Sequence, residues 1–190
     1  MFRTILILWL ATAAGFFPVS AQEPAKRISS GVQEYGQWKG FAPGSWSKYQ
    51  MAERDAAKTT KAKVATYTLT AVETNKVSLK YQTIDTAADG KSSTNTTTFH
   101  LNPMQTASSV RQQIQEGDEE LTLGARKLKC HWSEVNSERT SREGKKITWV
   151  YRIWLSPEVP GGMVKSMNTM KDGGNTISSG EIKLLAFESK

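Results

Sequence analysis

Cysteine is nearly absent from this chain: Cys130 is the only one among 190 residues, so no disulfide can form within it and an apolar core must hold the fold. Histidine is almost as scarce, with only His100 and His131. That excludes a histidine-rich metal centre. A site pairing Cys130 with His131 would need side chains that a pleated strand sends to opposite faces, which argues equally against a thiol and its base. There is no Gly-x-Ser-x-Gly elbow, and Gly161-Gly162 lacks the Lys-Ser/Thr spacing of a phosphate loop. Neither a metal nor a cofactor is expected, no catalytic residue is assigned, and the chain is read as non-enzymatic. Long runs of one charge are missing too. Lys58, Lys61 and Lys63, and later Arg126, Lys127 and Lys129, alternate with acids, which describes a solvated surface and not a nucleic-acid partner. After the N-terminus no stretch is apolar enough to cross a bilayer.

What is present begins with an export signal. Arg3 supplies the charged start, Ile5 to Phe17 the apolar run, and Val19-Ser20-Ala21 a small-residue cleavage pattern. Cleavage is expected after Ala21; the run is short for a membrane anchor and breaks at Pro18. Gln22, not Cys, follows the cut, so the expectation is an unlipidated exported protein, periplasmic or secreted. Residues 1–21 are then the signal, 22–30 a polar leader and 31–190 one β-rich domain, large enough for its own core. Losing Arg3 leaves 24 basic against 18 acidic residues, a net charge of +6. The oligomeric state is left open.

The stretch from Lys146 to Lys165 organises the rest. Ile147, Trp149, Tyr151, Ile153 and Leu155 make one side of a pleat wholly apolar, with Thr148, Val150, Arg152 and Trp154 opposite. Ser156-Pro157 and Val159-Pro160-Gly161-Gly162 then impose a tight, shaped loop. Further strands are expected over Ser45 to Ala52, Val64 to Val72, Val77 to Ile84, Thr94 to Leu101, Leu128 to Val135, Met163 to Met170 and Ile177 to Phe187, the last interrupted near Gly180. Glu73 to Lys76 reads as a four-residue turn, and Asp89-Gly90 and Asp172 to Asn175 as others. Asn102-Pro103, Gln105, the spacing of Met104, Ala107, Val110 and Ile114, and a stop at Gly117 favour a helix over 103–116, although Val110, Gln112 and Ile114 also alternate as a strand does. Strands linked by short polar turns predict a mainly β fold: a single curved antiparallel sheet or unclosed half-barrel with one or two short helices.

Cys130 falls on the same side of its strand as Leu128 and Trp132 and reads as a small core hydrophobe, with His131 pointing away. Outside the signal the tryptophans are 38, 46, 132, 149 and 154. Trp149 and Trp132 share faces with apolar residues and read as core or cavity lining, whereas Trp154, beside Arg152, reads as the half-exposed contact. The candidate ligand-binding residues are therefore Trp149, Tyr151, Ile153, Trp154 and Arg152.

Trp154-Leu155-Ser156-Pro157 and Pro160-Gly161-Gly162-Met163-Val164-Lys165 resemble the strand–turn–strand of exported bacterial proteins related to the lipoprotein carrier LolA. The resemblance implies an unclosed half-barrel whose concave side holds acyl chains, with a lipid or other apolar small molecule as partner. Two functions remain open. One is a cavity for a hydrophobic or amphipathic ligand; the other is a surface-binding β-sandwich module, for carbohydrate or protein, that uses exposed aromatics such as Trp38, Trp46 or Trp154.

Overall fold

The computed structural model describes residues 35–55, 60–86, 91–103, 113–140 and 144–190; the expected signal, the leader and the Asp89-Gly90 turn lie outside them. After a 3₁₀ turn at Tyr35–Gln37 come nine strands: β1 (Trp46–Asp55), β2 (Thr60–Glu73), β3 (Lys76–Thr86), β4 (Ser92–Leu101), β5 (Gln113–Leu123), β6 (Arg126–Thr140), β7 (Lys146–Leu155), β8 (Met163–Asp172) and β9 (Asn175–Glu188). All pair antiparallel, in the order β4-β3-β2-β1-β9-β8-β7-β6-β5. Two meanders are thus joined where the first strand meets the last. The result is the expected unclosed, curved antiparallel sheet, and the two packed layers of a β-sandwich are not formed by the described residues.

Alternation explains which side is covered. On β1, Ser47 and Tyr49 are buried while Gln50 is exposed; on β2, Ala65, Tyr67 and Leu69 are buried between more open neighbours. Register extends that face to Leu79 on β3 and to Leu184, Ser166 and Ile153 on β9, β8 and β7. Register shifts at Lys48/Tyr49, Leu69/Ala71, Trp154/Leu155 and Met170/Lys171 mark bulges, the usual means of bending a sheet. The Tyr49 hydroxyl reaches across to donate to the Met163 carbonyl at 3.0 Å. Rings of Tyr49, Tyr67, Tyr81 and Phe99 pack nearby, the closest centroids 4.7 Å apart.

One end of this curved sheet is plugged. The loop Ser156–Gly162 folds inward, with Val159 and Pro160 fully buried, and the Gly161 amide donates to the Gln37 carbonyl at 3.1 Å. Trp38, also fully buried, lies against Gly161. Lys190 closes the same end: the Ala42 amide donates to the Lys190 carbonyl and the Lys190 amide to Ser45 Oγ, at 3.1 and 2.9 Å.

Several expectations change in detail. Gln113 to Glu116 belong to β5, so the helix over 103–116 does not extend through them; residues 104–112 lie outside the described set. Gly117 stops no helix. It sits inside β5, directly opposite Trp132, whose ring would be 2.8 Å from any Cβ placed there. The β2–β3 connection shrinks to Thr74-Asn75, because Glu73 and Lys76 pair across the hairpin and join through a 2.9 Å ion pair. β9 runs through Gly180 unbroken, and β6 continues to Thr140, beyond the expected end at Val135.

Candidate functional site

Opposite the plugged end the covered face opens into a cavity of about 580 Å³. Its walls come from both meanders: Met51 and Glu53 of β1, Lys63 and Tyr67 of β2 and Asp85 of β3 on one side, Tyr151 of β7, Met163, Ser166 and Asn168 of β8 and Ile182 of β9 on the other. Polarity is graded along the strands. Tyr49, Ala65 and Ile153 beyond the cavity's inner end are fully buried, whereas Glu53 and Lys63 near its mouth are exposed. The inner part thus presents methionine, isoleucine and tyrosine surface; Lys63, Asp85 and Asn168 supply polar groups. Gly180 makes room for the Asn168 side chain, which would collide with any Cβ at that position.

Of the predicted ligand residues, Tyr151 lines this cavity. Ile153 is on the same face but fully buried within the core. Trp149 shares the face as well, yet it is 55% exposed near the open end, so it is not core. Trp154 reverses the expectation in the other direction: at 5% exposure it is buried, and with Arg152 it lies on the face turned away from the cavity. The cause is its neighbours. Arg152 packs over the rings of Trp132 and Trp154, with its guanidinium carbon 4.5 and 5.6 Å from their centroids, and Lys165 Nζ caps Trp154 at 5.1 Å. Carboxylates complete the stack: Trp154 Nε1 donates to Glu119 at 2.7 Å, and Arg152 Nε and Nη2 both reach Glu134 Oε2 at 2.7 Å. Rings and cations held this way cover one another and leave little free for a ligand.

The tryptophans therefore form neither a concave cluster nor a flat exposed row. Beside Tyr151, which the sequence marks, the cavity is lined by Met51, Tyr67 and Met163, which sequence reading missed. Alternation on β1, β2, β8 and β9 marks Met51, Tyr67, Ser166 and Ile182 as inward, but only strand order brings them together.

Other chemistry-bearing groups stand apart. Ser78 Oγ is 2.9 Å from His100 Nδ1, and His131 Nδ1 is 3.0 Å from Asp118 Oδ1. Each is a cross-strand pair at a different edge of the sheet, so serine, histidine and carboxylate do not converge. Cys130 is 3% exposed, and burial pushes its thiol up to about 11. Among the described residues no group of three or more His, Cys, Asp or Glu could hold a metal ion, and no helix is long and apolar enough to cross a membrane.

No protein-family model matches the chain, and no curated protein does. Among solved structures it is similar to the crystal structure of "a putative lipoprotein" from Parabacteroides distasonis, at 13% identity and a TM-score of 0.43, over 77% of this chain and 97% of that one.

Proposed function

We propose that this protein is an exported, non-enzymatic carrier of the LolA-like kind, which holds a hydrophobic or amphipathic small molecule in its curved sheet. The observation that carries the reading is the cavity: about 580 Å³, within the range of small-molecule sites, with Met51, Met163, Ile182 and two tyrosine rings among its lining and Glu53 and Lys63 towards its mouth. An amphipathic guest would set its apolar part against Met51, Met163 and Ile182 and its polar group near Lys63, Asp85 and Asn168. The export pattern ending at Ala21 supports a site of action outside the cytoplasm.

Native mass spectrometry of the protein purified from its host without detergent, followed by solvent extraction, tests this directly. A stoichiometric apolar adduct is the expected result, and it names the ligand class. Ile182→Lys, which puts a charge into the cavity wall, should abolish the adduct while circular dichroism stays that of a folded sheet. A clean apo mass in folded protein, or an adduct indifferent to Ile182→Lys, counts against the reading.

A further inference from the structure

Of the nine strands, β4 alone contains no Asp, Glu, Lys or Arg: it reads Ser-Ser-Thr-Asn-Thr-Thr-Thr-Phe-His-Leu. It is also an edge of the sheet, and among the described residues no strand pairs with its outer side. All of it except Phe99 and Leu101 is exposed. An edge strand offers a row of unpaired N–H and C=O groups, and natural sheets blunt that row with charges, proline or bulges. β4 has none of these. Its register with β3 runs unshifted from Val77↔Leu101 to Thr86↔Ser92, and threonine favours the extended backbone it already holds. The other edge is built differently: β5 carries Glu116, Asp118, Glu119 and Glu120, and its hairpin end curls towards β9, where the Arg126 guanidinium lies 5.2 Å from the centre of the Phe187 ring.

We infer that β4 is a dimerisation edge, which takes β4 of a second copy in an antiparallel ladder. A two-fold axis perpendicular to the sheet keeps each face on its own side, so positions of like parity oppose each other. Centred on Thr97, Thr97 meets its equivalent, Asn95 meets Phe99 and Thr96 meets Thr98; centred on Thr96, Thr96 meets its equivalent. Neither register brings like charges together within the β4 ladder, whereas two β5 strands would oppose carboxylate to carboxylate. The contact uses one patch twice, so assembly closes at two copies, with both cavities on the same side of one continuous sheet. This inference does not depend on what the cavity holds.

Sedimentation velocity of the chain as its host produces it, across a range of concentrations, tests it. The expected result is a reversible dimer. Thr96→Lys and Thr96→Glu, each checked for folding by circular dichroism, should separately weaken the dimer about tenfold or more, because like charges then face each other near the axis. Mixed in equal amounts, the two variants should recover dimer as a mixed pair. A monomer at every concentration, a dimer indifferent to either charge, a mixture that stays monomeric, or assembly growing beyond two overturns the inference.

Discussion

Cys130 shows how much one position depends on burial. Its thiol stays protonated at neutral pH and is a poor nucleophile, so iodoacetamide should modify folded protein far more slowly than urea-unfolded protein; equal rates would put the residue at the surface. Burial also raises Tyr49 above its ordinary value of 10.0. Both groups are neutral when protonated, and the folded state holds those protons more tightly than the unfolded one. Their contribution is therefore complete below the ordinary values of 9.0 and 10.0 and is lost as pH rises through the folded ones. Urea midpoints should fall above about pH 9 more steeply in this protein than in Cys130→Ser. Arg152 makes the second case. Arg152→Lys keeps the charge but loses the planar contact with two rings, at about 1–2 kcal/mol. Arg152→Ala should cost more, because Glu134, only 16% exposed, is left without its cation. Equal urea midpoints for the two variants would show that the charge retained by lysine contributes nothing beyond the guanidinium plane.

At the scale of elements, the loop between β7 and β8 is legible in sequence as a loop, but its task is not. Pro157, Pro160, Gly161 and Gly162 announce a constrained turn; that the turn becomes the plug depends on Trp38, well over a hundred residues earlier. Gly161 holds φ +82° and would place a Cβ 2.8 Å from the Trp38 ring. Gly161→Ala is therefore expected to cost about 1–3 kcal/mol, read as a lower urea midpoint with the slope unchanged. Gly117 teaches the converse. Beside Asn102-Pro103 and a helical spacing it reads as a helix stop, and its actual reason, the Trp132 ring on the neighbouring strand, lies outside any local pattern. Trp149 and Trp154 were separable in the same limited way. Alternation puts them on opposite faces, yet exposure follows from Arg152, Lys165 and Glu119 covering one and from the open end baring the other.

For the whole molecule, the proposed carrier should lose stability when its guest is removed. A ligand present at a hundred times its dissociation constant stabilises the folded state by about 2.7 kcal/mol, so solvent-extracted and refolded protein should melt at a lower temperature and recover on adding back the extract. Identical melting before and after extraction would mean that nothing bound in the folded state had been removed. The sequence by itself determined the strand-rich class, the antiparallel connections and the buried thiol, because each follows from short-range pattern: period-two alternation, turn residues and composition. Only the tertiary structure decided that β1 pairs with β9, that β4 is left at an edge, and that Met51, Tyr67, Tyr151 and Ile182 share one cavity. Those outcomes rest on strand order and register between residues as distant as Tyr49 and Met163, whose contact arises only once the sheet has curved.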